Sequence, residues 1–264
     1  MGRAVELLTG YVTAPDTTQT ALTMAAGNSL TVRNAREGSK VMLLQAWADS
    51  QTAGILRIRS PQLHDNVQGL RLRAIASEVD PLLPRGFFQQ LMPQDTLTVD
   101  LSGSATAADI ESACMLVYYE DLPGIDGRFI DRAELVGRIV DLATLENTLA
   151  LGVGGGYSGE EALNAEFDLL HANTDYAILG FAVTAECAAI RYRGSDFGNL
   201  GVGGPGNDLD KEMTGEWFVH LSDWVGVPLI PVFNSANIGS VLLDGVQDEN
   251  GTDVTVTTIL AQLS

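Results

Sequence analysis

The residues with the plainest chemical potential are two glycine-rich stretches, one acidic stretch, three histidines and two cysteines. Gly201-Val202-Gly203-Gly204-Pro205-Gly206 fits G-x-G-x-x-G letter by letter. A dinucleotide site needs that motif to leave a strand and open a helix, with an acid about 20 residues further on. Pro205 lies inside the motif and no strand–helix–strand pattern surrounds it, so a surface loop is the expectation. Residues 152–159, GVGGGYSG, lack the Lys-Ser/Thr of a phosphate loop, and Ser158 is not the centre of a G-x-S-x-G elbow. His64, His171 and His220 are far apart in sequence, with no close Cys/His spacing and no His-x-His, so a zinc site or a metal-dependent double-barrel enzyme is not expected. Residues 244–253, DGVQDENGTD, have the composition of a calcium loop but not the EF-hand pattern. They read as a solvated hairpin tip, with a structural Ca²⁺ as the alternative. Cys114 and Cys187 sit in apolar runs and read as small buried hydrophobes rather than a disulfide or a nucleophile. No nucleophile is paired with a base. The expectation is a protein without catalytic residues, cofactor or metal.

Aromatic residues are the remaining candidates. Phe87 and Phe88 lie in an irregular stretch, 75–94, interrupted by Asp80-Pro81 and Leu83-Pro84. Trp217, Phe218 and the nearby Trp224 lie in a second such stretch, 204–228. Aromatics in excursions of this kind serve as protein interfaces, as sugar platforms, or as plugs for the end of a sandwich. Their matched positions in the two halves favour packing or assembly, and these five residues form the candidate interface.

The positions match because the chain repeats. Residues 41–60, VMLLQAWADSQTAGILRIRS, align without a gap on 175–194, DYAILGFAVTAECAAIRYRG, at an offset of 134. Leu44 falls on Ile178, Trp47 on Phe181, and Arg57-Ile58-Arg59 on Arg191-Tyr192-Arg193. Alternation places Ile58 and Tyr192 toward a core and the arginines outward. At an offset of 127, Leu8-Thr9-Gly10-Tyr11-Val12 falls on Leu135-Val136-Gly137-Arg138-Ile139. Phe87-Phe88 falls on Trp217-Phe218, Leu91-Met92-Pro93 on Leu229-Ile230-Pro231, and Leu116 on Leu260. The order of matches implies an internal duplication. Asp121-Leu122-Pro123-Gly124 is the boundary, giving units 1–123 and 124–264. Each half offers seven or eight short alternating strands. The expected fold is all-β: two tandem jelly-roll-like antiparallel β-sandwiches. Residues 132–151 carry apolar residues near helical spacing but align with strands, so strand is favoured there.

The chain has 264 residues, 34 acidic against 15 basic side chains, and a net charge of −19. Clustered cations for phosphate binding are missing from the sequence, so direct contact with nucleic acid is not expected. No apolar run reaches the roughly 20 residues of a membrane span. The start, MGRAVELLTGYVT, has no secretory pattern, so synthesis in the cytoplasm is expected.

Over residues 3–263 this arrangement resembles the double jelly-roll major capsid proteins of tailless icosahedral viruses and phages. The resemblance lies in the whole-chain pattern and carries over no functional residue. It implies two jelly rolls side by side and a homotrimer of pseudo-hexagonal outline. It further implies self-assembly into a shell with other virion proteins, so that the chain, made in the host cytoplasm, resides in the virion. In that setting 132–151 lead from the first roll to the second, and the two aromatic excursions become towers or contacts between capsomers. The alternatives are a tail, spike or decoration protein, or a non-enzymatic carbohydrate-binding or adhesion module.

Overall fold

In a computed structural model, residues 2–25, 30–61, 63, 67–76, 78–152, 154–166, 169–247 and 251–264 are described. His64, Asp248 and Glu249 lie outside them.

The first half supplies β1 (Ala4–Thr13), β2 (Thr20–Ala21), β3 (Thr23–Met24), β4 (Val41–Asp49), β5 (Ile55–Arg59), β6 (Leu70–Arg73), β7 (Gln89–Gln90), β8 (Thr98–Ser102) and β9 (Ile110–Tyr119). The second half opens with β10 (Phe129–Ile130) and helix α1 (Arg132–Arg138), then β11 (Ile139–Ala150), β12 (Tyr157–Ala162), β13 (Asp175–Val183), β14 (Cys187–Arg193) and β15 (Val202–Gly206). It closes with α2 (Lys211–Gly215), α3 (Trp217–Val225), β16 (Ile230–Asn234), β17 (Leu242–Val246) and β18 (Asp253–Leu263).

These strands form four antiparallel sheets. The first half builds β3-β1-β9-β4-β7 and β2-β8-β5-β6. The second builds β10-β16-β13-β18-β11 and β12-β17-β14-β15. If β3 and β10 are set aside, the two halves have the same order. β1-β9-β4-β7 answers to β11-β18-β13-β16, and β2-β8-β5-β6 to β12-β17-β14-β15. Each half is thus an eight-stranded jelly roll of two four-stranded sheets. Each sheet takes its strands from one half only.

The register corrects the sequence alignment by one residue. A β-bulge interrupts the pairing of β4 with β9 between Leu43 and Gln45, and that of β13 with β18 between Ile178 and Gly180. Laying bulge on bulge equates the row Leu8–Met115–Ala46 with the row Leu145–Thr258–Phe181. Phe181 therefore answers to Ala46, not to Trp47. A slip of one residue exchanges the faces of a strand. Ala46 points into the first sandwich, while Trp47 points out of it toward the second. The offset of 127 also fails, because Leu135 lies in α1 and Leu8 answers to Leu145. Likewise Gln90 answers to Val232, so Leu91 and Leu229 are not equivalent.

Residues 132–151 divide into helix and strand. The Asp131 side chain accepts from the Glu134 amide at 2.8 Å, and Glu134 pairs with Arg138 one turn later at 2.9 Å. This cap and i,i+4 pair start the helix. The strand begins at Ile139, so the 141–147 segment is extended.

The four sheets stack. Outermost in the first half is β2-β8-β5-β6, hereafter the first outer sheet. Behind it lies β3-β1-β9-β4-β7, the first inner sheet. Then come β12-β17-β14-β15, the second inner sheet, and β10-β16-β13-β18-β11, the second outer sheet. The two inner sheets meet in the middle of the chain. Every described residue of β4 and β9 is buried, because both faces of the first inner sheet are covered. One face joins the interior of the first sandwich through Leu43, Ala46, Met115 and Val117. The other, with Leu7, Trp47, Cys114 and Leu116, runs into the core of the second.

Candidate assembly faces

The contact between the inner sheets defines how one jelly roll meets another. Trp47 is fully buried there, its Nε1 donating to the Ala188 carbonyl at 2.7 Å and its ring set edge-on to Trp217 at 5.9 Å. The Leu7 amide donates to the Gly201 carbonyl at 2.8 Å. Thr9 Oγ1 and the Tyr157 hydroxyl are 2.6 Å apart, and the Arg191 guanidinium lies 3.3 Å from the centroid of the Tyr157 ring. Burial pushes the Tyr157 hydroxyl well above its ordinary pKa, so it stays neutral as a hydrogen-bonding group. The polar groups of Thr9, Trp47 and Tyr157 are tolerated in the seam because each finds a partner.

Both glycine-rich stretches reach this seam, and for 201–206 the structure corrects the loop expectation. Val202–Gly206 is the buried strand β15. A Cβ on Gly203 would overlap the Ile190 carbonyl and crowd Leu7 of the first sandwich. One on Gly204 would meet Trp217 Nε1, and one on Gly155 the Tyr11 ring at 2.6 Å. Glycine is present where the backbone of the second half lies directly against side chains packed at the seam.

The arginines do not simply face water. Arg57 and Arg59 of β5 both bind Asp100 of β8, Nε to Oδ2 at 3.0 Å in each case. Arg191 and Arg193 of β14 bind Asp244 of β17 in the same way. Arg191 is bidentate at 2.9 and 2.7 Å, and Arg193 reaches Oδ2 at 3.1 Å. Asp100 lies opposite Arg57 and Asp244 opposite Arg191, so the cluster is duplicated in register. Burial opposes the Arg191 charge most strongly, but the Asp244 hydrogen bond and the charge interactions with Tyr157, Asp244 and Glu160 together leave the Arg191 pKa raised. Asp244 is therefore a buried strand residue, not part of a hairpin tip. The sequence alignment missed by one residue here too, since Leu116 answers to Ile259 and not to Leu260.

Of the five candidate interface aromatics, Phe87 and Phe88 are exposed at 69% and 45%. Trp217 and Phe218 are fully buried, so they are corrected from interface to core. They belong to α3, which packs on β13 and β16, with Trp217 Nε1 donating to the Gly203 carbonyl of β15 at 2.9 Å. Phe218 is edge-on to Tyr192 at 6.3 Å. The helical spacing of these residues was the overlooked signal, and the Asp210 side chain caps α2 through the Met213 amide at 3.0 Å. Trp224 is half-buried between the two excursions. His220 stacks on it at 5.7 Å, and Arg85 of the first half lies 5.0 Å from its centroid. With Asp210, Glu212 and Met213 these groups line a polar depression of about 360 Å³. Among the described residues no group of three His, Cys, Asp or Glu side chains is placed to hold a metal, and no helix is long and apolar enough to cross a membrane.

Two faces remain at the ends of the stack. The open face of the first outer sheet carries Arg57, Arg59, Arg71 and Arg73, since Arg57 lies opposite Arg71 and Ile55 opposite Arg73. The outward face of the second outer sheet is open only on one side, at Thr144, Glu146 and Thr148 of β11 beside Thr255 and Thr257 of β18, while Ala177, Gly180, Val232 and Ala261 on the same face are buried beneath α2 and α3. Strands β11, β13 and β18 contain no lysine or arginine.

No protein-family model matches the chain, and no curated protein matches it. Several solved structures are similar at low identity. The PBSX exported protein XepA is 14% identical, with 97% of this chain and 86% of that one covered and a TM-score of 0.27. The major capsid protein P2 from Bacteriophage PM2 is 9% identical, covering 99% and 98%, with a TM-score of 0.23. The STIV MCP is 9% identical, covering 99% and 97%, with a TM-score of 0.22.

Proposed function

We propose that this chain is a non-enzymatic structural protein of a virion, a major capsid protein that forms its shell from homotrimers. One observation supports the reading above the others: a complete jelly roll occurs twice in the chain, and the pair is fused through a buried apolar seam. Such a chain is a rigid double wall unit. Three copies offer six similar sides, the number that tiles a shell with pseudo-hexagonal blocks. The exposed Phe87 and Phe88 lie in a loop excursion where neighbouring blocks or other virion proteins would meet. A net charge of −19 favours contact with other proteins over the genome for most of the surface.

Native mass spectrometry of the purified chain, followed by electron microscopy, tests the proposal. Trimers that tile into closed shells are the expected result. A monomer at every concentration would refute it and favour an adhesion module.

A further inference from the structure

Strands β7 and β16 hold equivalent places in the two halves, but only β16 has its outer side covered. There β10 runs antiparallel to it, with Ile130 opposite Ile230 and the Val232 amide donating to the Arg128 carbonyl at 2.9 Å. Phe129 and Ile130 are buried by that pairing. The first-half equivalents of Ile230 and Val232 are Phe88 and Gln90. Among the described residues no strand pairs with the outer side of β7. The Leu91 amide donates inward to the Val41 carbonyl at 2.8 Å, so by alternation the amide and carbonyl of Gln90 point out of the sheet edge. That carbonyl accepts from the side-chain amide of its neighbour Gln89 at 3.1 Å, a local bond that a pairing strand would displace. Phe88, Gln90 and Met92 share one strand face, and Phe88 and Met92 are 45% and 49% exposed. We propose that a second copy of this chain pairs with this edge about a two-fold axis through Gln90, β7 running antiparallel to β7. The contact joins neighbouring trimers, and the inference rests on the shell-forming reading above.

A two-fold contact needs a surface complementary to itself. With Gln90 opposite Gln90, Phe88 of each copy lies opposite Met92 of the other, and a thioether against an aromatic ring is a favourable pair. Charge selects the partner. The chain carries a net charge of −19, yet residues 81–94 contain no carboxylate and a single charged side chain, Arg85. Two acidic copies can close on this stretch without setting carboxylate against carboxylate. Its composition, aromatic and Met with few charges, is that of an interface centre. Area sets the strength. Phe87, Phe88 and Met92 can bury on the order of 300 Å² per copy, short of the roughly 800 Å² per partner of a stable dimer. The contact is therefore weak when made once and effective when many are made together, as between the trimers of a shell.

The experiment has two arms. In the first, Gln90→Cys is oxidised with copper phenanthroline beside Ala107→Cys, which is exposed in the 103–109 loop outside the patch. Cys114 and Cys187 are buried, so each variant offers one accessible thiol. Residues directly opposite in an antiparallel pair are within disulfide reach. Gln90→Cys should give a disulfide-linked pair of chains roughly tenfold faster than Ala107→Cys. In the second arm, Phe88→Glu should stay folded by near-UV circular dichroism and trimeric by native mass spectrometry. Its shell yield by electron microscopy should fall roughly tenfold or more. Phe88→Lys/Met92→Glu places opposite charges across the axis and should regain part of that loss. Equal linking rates for the two thiols would overturn the inference, and so would Phe88→Glu shells at wild-type yield. A Phe88→Glu chain that loses its shells while Gln90→Cys links no faster than the control would also overturn it, because the patch would then belong to a different protein. A wild-type chain that never leaves the monomer would overturn the shell reading, while the comparison of thiols still judges the edge contact by itself.

Discussion

The two sandwiches share one strand order but differ wherever one of them is covered and the other is open. On β5 the arginine pair around Asp100 keeps partial access to water, with side chains 15% and 22% exposed. On β14 the equivalent Arg191 is 8% exposed and lies beneath the first sandwich. On β6 the outward residues are arginines, while on β15 they include Gly203, because Leu7 of the other half occupies the space. The first inner sheet is buried on both faces, whereas the second outer sheet turns exposed threonines outward on β11 and β18. The fold is therefore held constant by the inward residues, and the outward ones report what each sheet lies against.

The largest test of this contrast removes the residue that crosses the seam. Trp47→Ala deletes a fully buried ring, its contact with Trp217 and its bond to the Ala188 carbonyl. A loss of about 3–5 kcal/mol in urea unfolding is expected. Phe88→Ala, in an exposed excursion, is expected to change stability by less than about 0.5 kcal/mol. Equal effects would mean that the two jelly rolls are not joined through Trp47. Next in size is the paired comparison of the aspartates. Asp244→Ala leaves Arg191 buried without its bidentate partner, and about 3 kcal/mol should be lost. Asp100→Ala leaves Arg57 and Arg59 able to reach water, and about 1 kcal/mol should be lost. The difference between the two, measured by denaturant midpoints, reports the burial of the seam.

Much of this architecture was legible beforehand, for definite reasons. Alternation in Leu56-Arg57-Ile58-Arg59 and Ile190-Arg191-Tyr192-Arg193 located equivalent strands, because a half-buried sheet imposes a period of two. The same rule could not align Trp47. Strand β4 is buried on both sides and lacks alternation, so nothing in its residue types betrays a one-residue slip. The glycines of β15 were unreadable for a related reason. They are dictated by Leu7 and Trp217, which are distant in sequence, and a local reading sees only a flexible run. The arginines misled in the opposite direction. Their charge suggested solvent, whereas Asp100 and Asp244 on a strand far along the chain hold them against the sheet. The interface aromatics divided for the same reason. Phe87 and Phe88 are surface residues of an irregular segment, while Trp217 and Phe218 belong to a short helix, too short for its apolar spacing to stand out among the surrounding glycines.

The thiols sharpen the contrast through pH. Cys114 lies at the seam beside Thr9 and the Ala188 carbonyl, and Cys187 is buried on the facing strand. Burial pushes the Cys114 thiol from an ordinary 9.0 up to about 12, and raises Cys187 well above its ordinary value. Above about pH 9 an unfolded chain releases these protons while the folded chain keeps them. The unfolded state then binds fewer protons, so stability is full below pH 9 and falls as pH rises toward the folded pKa. Each thiol steepens that fall by at most about 1.4 kcal/mol per pH unit. Urea midpoints measured from pH 7 to 10.5 should be level and then decline, and Cys114→Ala should flatten the decline. Thiol labelling at pH 8 should proceed only as fast as the protein opens. Rapid labelling of the folded chain at Cys114 would show that the two inner sheets part readily, and that the jelly rolls are separate bodies joined by a peptide rather than one rigid wall.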